Sequence, residues 1–124
     1  MKEQLISSET AKLAKEKGFD KVLYITNISY FYYDDFLSTG SNSLVTYRYK
    51  ERPNIYLAPT QSLLQKWLRE IHGIEVWVTP LFDKVYKVNW FYTTLFQKSN
   101  TFTKYEEALE VGLVDALNLI PNVI

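Results

Sequence analysis

The stretch from Ala58 to Val78, APTQSLLQKWLREIHGIEVWV, constrains the fold most, because it specifies a helix, the end of that helix and a strand in immediate succession. Pro59 suits the first helical position. Apolar side chains then recur on one helix face, at Leu63, Leu64, Trp67, Leu68 and Ile71. Gly73 predicts the helix end, and the strand that follows alternates apolar residues at Ile74, Val76 and Val78. We therefore expect this helix to cover a sheet through its apolar face.

The N-terminal segment predicts a second, less apolar helix. Ser7 and Ser8 can accept hydrogen bonds from the free amides of a helix that runs to about Lys17. Gly18 suits the left-handed position that closes a helix, so that Phe19 can fold back onto the last turn. Helices are therefore expected near residues 8–17 and 60–72.

The C-terminal segment predicts a third helix, near residues 104–119. Thr103 and Glu106 fit the capping-box pattern. Gly112 is unfavourable inside a helix by about 1 kcal/mol relative to Ala, which suggests a close approach to the sheet. Pro121 ends the helix, and its expected buried face consists of Tyr105, Ala108, Leu109, Gly112, Ala116, Leu117 and Ile120.

The remaining segments predict strands and one loop. Residues 21–33, KVLYITNISYFYY, suggest one strand or a hairpin broken near Asn27. Residues 34–43 have the composition of a surface loop. Two short strands are expected within 44–58, and a longer one within 85–96.

Together these elements predict an α+β fold in one domain, residues 1–124, with three helices on a mostly antiparallel sheet of four to six strands. The expected order is α-β-β-β-β-α-β-β-α. An internal echo, AKEKGFDKVLYIT against LREIHGIEVWVT, has two explanations. It reflects a duplication, with two αββ halves sharing one sheet, or it reflects the frequent sequence pattern in which a glycine ends a helix and a strand follows.

Charge and cysteine content exclude several classes of function. Fourteen basic residues balance fourteen acidic ones, so counterion release cannot dominate binding unless the charge is segregated. The chain has no cysteine, which excludes disulfides, thiolate metal sites and cysteine nucleophiles. No apolar run approaches about 18 residues. These features predict a cytoplasmic protein without a membrane anchor or a cofactor.

Candidates for catalysis are few. His72 is the only histidine, and it lies in the last turn of a predicted helix, where a structural role is favoured over a metal site. Asp34 and Asp35 are adjacent, which places them on opposite sides of an extended chain. No glycine-rich phosphate loop is present. We therefore assign no catalytic or metal-binding residue, and a small hydrolase ranks last among the expected functions.

A tyrosine-rich surface is the better candidate. Ten tyrosines exceed what a core of this size needs, and such residues favour binding surfaces. In residues 46–52, TYRYKER, a strand would place two tyrosines on one face and basic residues on the other, which suits either base stacking or a charged sheet edge. The candidate binding residues are Tyr30, Tyr32, Tyr47, Arg48, Tyr49, Lys50 and Arg52. Binding to another protein or to itself is favoured, with nucleic-acid binding as the alternative, because the net charge is zero.

Three segments, ISSETAKLAKEKGF, APTQSLLQKWLREIHGI and YEEALEVGLVDALNLI, resemble a group of small proteins of Bacteroidetes bacteria and of their phages and prophages. The resemblance covers both ends and the middle of the chain, whereas the stretch from Ile25 to Ile55 does not match. The group has no established activity, so no site residue is carried over. The resemblance implies a phage or mobile-element origin and a setting in the host cytoplasm, where small binding or interfering proteins are common.

Overall fold

A computed structural model describes residues 4–21, 28–84, 87–95 and 97–123. These residues confirm the α+β class, with four helices and six strands in the described ranges. The helices are α1 (Ser8–Glu16), α2 (Asn42–Glu51), α3 (Gln61–His72) and α4 (Tyr105–Leu117). The strands are β1 (Ile28–Tyr33), β2 (Phe36–Ser41), β3 (Ile55–Leu57), β4 (Val76–Phe82), β5 (Val88–Thr94) and β6 (Gln97–Lys98).

The chain forms two compact units. The first unit comprises Met1–Thr60 with Pro121–Ile124, and the second comprises Gln61–Ile120. Each unit contains a three-stranded antiparallel sheet, in the order β2-β1-β3 in the first and β4-β5-β6 in the second. The expectation of a single sheet with three helices is therefore wrong for the described strands, whereas the antiparallel pairing is confirmed. That residues 1–124 form one domain stays a prediction.

The first correction concerns α2, which replaces the strand predicted at residues 44–50. The Ser41 hydroxyl accepts a hydrogen bond from the Leu44 amide and caps the helix. Val45 and Tyr49, four residues apart, are buried together as on one helix face. The spacing of two between Tyr47 and Tyr49 fits a strand. The residues that α2 buries, Val45 and Tyr49, are instead four apart, which is the spacing of a helix.

The second correction concerns β2, which replaces the loop predicted at residues 34–43. β2 pairs with β1 across a tight turn at Asp34 and Asp35, and Asp34 adopts a φ of 54°. The small residues of β2 have a packing reason. A Cβ atom at Gly40 would lie 3.1 Å from Cγ2 of Val45 and 3.6 Å from Cε1 of Phe31. Glycine therefore permits α2 to approach the hairpin closely.

The local signals for α1 are confirmed. Ser7 is the N-cap, and its hydroxyl accepts a hydrogen bond from the Thr10 amide at 3.2 Å. At the other end Gly18 has a φ of 92°, and the amide of buried Phe19 donates to the carbonyl of Ala14 at 3.0 Å. This hydrogen bond is the Schellman closure expected from the glycine.

The predicted capping box of α4 is wrong. The N-cap of this helix is Lys104, one residue after Thr103, and its side chain makes no capping hydrogen bond. The predicted buried face is otherwise largely present. Ala108, Leu109, Gly112, Ala116, Leu117 and Ile120 are buried, whereas Tyr105 is exposed. Packing on the sheet through Gly112 and ring contacts at the first turn therefore replaces a local cap.

In the second unit α4 lies on β4 and β5, and α3 packs against α4. Trp67 of α3 is buried, as the amphipathic pattern predicts, but Ile71 is 59% exposed and lies outside the core. The Gln61 side chain of α3 donates to the carbonyl of Glu106, and to Oε1 of Glu110, at 2.9 and 3.0 Å. A polar contact thus fixes the N-terminal end of α3, where the sequence suggests only an exposed residue.

The two units share part of the predicted repeat. Each contains a helix closed by a glycine with positive φ, Gly18 or Gly73, followed later by an antiparallel hairpin. The third strand joins the first strand of the hairpin in one unit and the second strand in the other, so the sheets differ in order. The strand predicted directly after Gly18 includes residues 22–27, and the strand at 85–96 includes 85–86 and 96; these positions lie outside the described residues. Duplication stays a prediction.

Gly112 tests how closely α4 approaches its sheet. A Cβ atom there would lie 2.8 Å from Cγ1 of Val76 and 2.9 Å from Cγ of Tyr92. We expect Gly112→Ala to destabilise the protein by about 1–3 kcal/mol through overpacking, partly offset by about 1 kcal/mol of helix propensity. Urea unfolding followed by tryptophan fluorescence measures this change, because all three tryptophans lie in the second unit. An increase in stability would show that the helix and the sheet can separate without cost.

Candidate functional site

Two of the predicted tyrosines lie on one face of β1, as expected. Tyr30 is 44% exposed, whereas Tyr32 is half-buried and its hydroxyl donates to the carbonyl of Ile6 at 2.7 Å. Tyr56 of β3 pairs with Tyr32 and continues this face. The ring of Tyr32 thus has a structural role, and Tyr30 remains as an exposed aromatic side chain.

The five other predicted residues lie on α2 and at its end rather than on a strand. Tyr47, Arg48, Lys50 and Arg52 are exposed, and Tyr49 is buried. The Tyr49 hydroxyl donates to the carbonyl of Phe19, and burial raises the pKa of this tyrosine well above its usual value. A helix turns successive residues by about 100°, so these residues do not form two alternating faces. Tyr49 is part of the core and offers no ring for base stacking.

The buried side of Tyr49 adjoins a cleft of about 450 Å³ formed by α1, the end of α2 and β3. Its central group is Lys15. The Lys15 ammonium donates three hydrogen bonds of 2.8–2.9 Å to backbone carbonyls, those of Tyr49, Arg52 and Ile55. It also lies 4.4 Å from the ring centroid of Tyr49 and 5.4 Å from that of Tyr56. This lysine binds the C-terminal end of α2, where orphan carbonyls favour a cation.

The lining of this cleft carries four basic residues, Lys12, Lys15, Lys50 and Arg52, and two acidic ones, Glu16 and Glu51. Lys12 pairs with Asp35 at 2.8 Å, and the three N–H groups of Lys15 all donate to carbonyls. Burial lowers the pKa of Lys15, yet three carbonyl acceptors require the protonated form. Lys50 and Arg52 share the lining with the two acidic residues. Lys12 and Lys15 are thus engaged in structural contacts.

A second cleft, of about 340 Å³, lies at the C-terminal half of α4. There the Tyr92 hydroxyl donates to Oδ2 of Asp115. Burial, and secondarily the bond to this carboxylate, raises the pKa of Tyr92 to about 12. The hydroxyl of Thr94 is buried in the same lining without a hydrogen-bond partner among the described residues. A tyrosine that holds its proton at neutral pH is not a base, so this pair fixes β5 to α4.

The most distinctive surface is the face of the second sheet opposite α4. The face that α4 covers includes Val76 and Tyr92, the two residues nearest Gly112. Strand alternation and the β4–β5 register place the opposite set together, and none of its members is buried. We call this set the Trp77 face; it consists of Trp77, Thr79, Leu81, Asn89, Phe91 and Thr93.

The Trp77 face combines large apolar side chains with polar ones, and Lys98 of β6 borders it, with its ammonium 5.5 Å from the ring centroid of Phe91. Trp77 is 55% exposed and Leu81 50% exposed, and Phe91 is half-buried beside them. β4 (VWVTPLF) and β5 (VNWFYTT) contain no charged residue. Large exposed apolar surfaces that lack charge are typical of association sites.

The sequence carries a signal for this face that strand alternation alone does not reveal. The alternation at Ile74, Val76 and Val78 predicts core positions and gives no role to the residues between them. A strand that faces water on one side carries polar residues there, but Trp77 and Leu81 are large and apolar. Apolar residues on both faces of a strand therefore mark the surface.

Comparisons with protein-family models, curated proteins and solved structures find no match to this chain. In the described part of the chain, no helix is long and apolar enough to cross a membrane.

The Lys15 contacts have a matched control one helical turn earlier. We expect Lys15→Met to destabilise the protein by about 1–3 kcal/mol, because it leaves three carbonyls without their charged donor. Lys12→Met removes an exposed ion pair and a contact of 5.7 Å with the ring centroid of Tyr56, and it should cost less than about 1 kcal/mol. Urea unfolding at neutral pH, followed by far-ultraviolet circular dichroism, compares the two variants. Equal losses would mean that Lys15 does not hold the end of α2.

The raised pKa values predict a loss of stability in alkali. A tyrosine whose folded pKa exceeds its unfolded value near 10 retains its proton more tightly when folded, so its contribution is present below about pH 10 and is lost toward pH 12. We expect Tyr92→Phe to reduce the loss of stability between pH 9 and pH 11 relative to the exposed control Tyr47→Phe. The midpoint of urea unfolding at each pH measures this loss of stability. An unchanged pH dependence in Tyr92→Phe would exclude this tyrosine as a source.

Proposed function

We propose that the protein is a non-enzymatic self-associating module that binds through the Trp77 face. The observation that supports this proposal is a sheet face on which a half-exposed tryptophan lies beside Leu81 and Phe91, on two strands without a charged residue. A tryptophan side chain buries up to about 250 Å², so covering the exposed part of Trp77 would contribute about 3 kcal/mol before the costs of association. Two symmetry-related copies would contribute twice this amount.

Another exposed aromatic group competes with the Trp77 face but is less suitable. Tyr33 and Phe36 are paired and exposed at the end of the first hairpin. They flank the turn residues Asp34 and Asp35, so a partner there would have to desolvate carboxylates. The Trp77 face instead extends along two strands that carry no charge.

The non-enzymatic part of the proposal rests on the chemistry of the candidate groups. Tyr92 is a proton donor fixed to Asp115, and Tyr49 is buried against a backbone carbonyl. The His72 ring packs edge-on against Trp67, with 4.6 Å between ring centroids. Each of these groups has a structural contact that explains its position. A phage or mobile-element origin and a cytoplasmic setting belong to the same proposal and rest on the sequence resemblance alone.

Nucleic-acid binding remains the alternative, through exposed Tyr47, Arg48, Lys50 and Arg52. It is less favoured because Tyr49 is buried and acidic side chains lie beside Lys50 and Arg52. Those residues also provide a control for self-association, since Tyr47 is 65% exposed and lies in the other unit.

Light scattering over a range of protein concentrations tests the proposal. We expect the average mass to rise above the monomer value of 14.6 kDa, and Trp77→Lys to remain monomeric. Tyr47→Lys introduces the same charge at an exposed aromatic position and should associate as the wild type does. The buried Trp67 reports whether Trp77→Lys is folded. A monomeric wild type at several hundred micromolar, or equal association of both variants, would refute the proposal.

A further inference from the structure

Among the described strands, β4 pairs only with β5, so its other edge has no strand partner there. Hydrogen bonds on the far side of β5 show which backbone groups of β4 point to that edge. The Trp90 amide donates to the carbonyl of Phe102 at 2.8 Å, and the Phe102 amide donates to the carbonyl of Trp90 at 2.7 Å. The amide of Ser99 likewise donates to the carbonyl of Tyr92 at 2.9 Å. The backbone polar groups of Trp90 and Tyr92 therefore point away from β4. In an antiparallel ladder their partners on β4 then form the non-hydrogen-bonded pairs.

Those partners are Pro80, opposite Trp90, and Val78, opposite Tyr92. Their backbone groups consequently point outward, to the edge of the sheet. The side chain of Gln65 supports this orientation. Its amide donates at 2.6 Å to the carbonyl of Val76, which lies two residues before Val78 and therefore points to the same edge of the strand. The outer edge of β4 thus offers the N–H and C=O of Val78 and the C=O of Pro80.

This edge lacks the usual protection against strand pairing. Natural edge strands carry charged residues, especially lysine, that oppose pairing with another chain. β4 has none. Pro80 is its one protective residue, and proline removes a donor but leaves the carbonyl as an acceptor. A charged side chain on a partner strand would lie beside Trp77 and Leu81 without a counter-charge on β4, which favours an uncharged partner, and a second copy of β4 is such a strand.

We propose that two copies pair antiparallel through β4, about a two-fold axis at Thr79. This inference rests on the proposed self-association and places the contact at the β4 edge of the Trp77 face, so that the two faces lie side by side in one continuous sheet. The two outward-facing residues then meet, so the Val78 amide of each copy donates to the Pro80 carbonyl of the other. On the Trp77 face, Trp77 of one copy lies opposite Leu81 of the other, and the two Thr79 residues are directly opposed.

Neighbouring registers are less favourable. An axis at Pro80 would oppose two residues that lack an amide hydrogen and lose both donors. An axis at Val78 would place Trp77 opposite Thr79 and leave Leu81 without an apolar partner. The axis at Thr79 combines two hydrogen bonds with two apolar cross-strand pairs and one threonine pair, each a stabilising combination. The pairing also ends at a dimer, because both copies use the same surface and no second copy of that surface is left to bind a further chain.

Engineered cysteines test this pairing. The natural chain contains no cysteine, so each disulfide that forms must join the engineered residues. With the axis at Thr79, the two Thr79 residues form a non-hydrogen-bonded pair whose Cα atoms lie about 4.5 Å apart. This distance is compatible with a disulfide. We expect Thr79→Cys to form a disulfide-linked dimer under mild oxidation, at least ten times faster than the control.

The control is Thr93→Cys, which lies on the same face but on β5. Three strand spacings separate the two copies of β5 in the proposed dimer, about 14 Å, and a disulfide cannot span that distance. Both variants are compared by non-reducing electrophoresis at concentrations where the wild type associates in light scattering.

The possible outcomes distinguish failure of the β4 pairing from failure of the proposed self-association. If the wild type associates and the two cysteine variants cross-link equally slowly, the β4 pairing is wrong and association through the Trp77 face stands. If Thr93→Cys cross-links faster, the faces stack and the edges do not pair. If the wild type stays monomeric and Thr79→Cys does not cross-link, the proposed function fails, and the inference fails with it.

Discussion

The structure depends on the separation of charge from its sheets. Among the six described strands, Lys98 is the only charged residue, whereas the chain carries 28 acidic and basic residues. Strands of this kind gain stability by covering their faces, because they have no charged face to present to water. Helices meet part of this need: α2 packs close to the first hairpin at Gly40, and α4 packs on β4 and β5 at Gly112. The face that no helix covers keeps the apolar character of the covered one. The Trp77 face is therefore a consequence of the same composition that makes the core.

Helix ends explain which parts of the fold the sequence could predict. α1 and α3 each end at a glycine with positive φ, which is a local signal, and both were found within a residue of their expected bounds. α2 has no such glycine. The carbonyls of Tyr49, in its last turn, and of Arg52, its C-cap, accept hydrogen bonds from Lys15, which is 34 residues before Tyr49 in the chain. Ser41 and Pro53 are local signals for this helix, but Tyr47 and Tyr49 also fit the period of a strand, so the pattern of residues 44–50 predicts a strand.

The candidate site was predicted less well than the fold, for a related reason. Exposure of an aromatic residue depends on which face the rest of the fold covers. Tyr49 and Tyr47 are equivalent in the local sequence, yet one is buried beneath α1 and the other is exposed. Trp77 lies within a strand that the alternation of apolar residues predicts. Alternation assigns residues to the two faces of a strand, but it does not show that a helix covers only one of them. Composition indicated a binding surface, and only the tertiary structure distinguishes its members from the core.

The chemistry of the two clefts and of the sheet face bears on the proposed mode of recognition. In both clefts the central charged or polar groups bind one another or the backbone, as Lys15 and the Tyr92–Asp115 pair show. The Trp77 face lies on two strands without a charged residue, and Lys98 of β6 borders it. Association through such a surface receives no electrostatic steering, so salt affects its rate and its affinity weakly. Phosphate binding has the opposite behaviour, because each neutralised phosphate releases a counterion. The location of the charge in this fold therefore favours slow, salt-insensitive pairing of apolar strands over binding to nucleic acid.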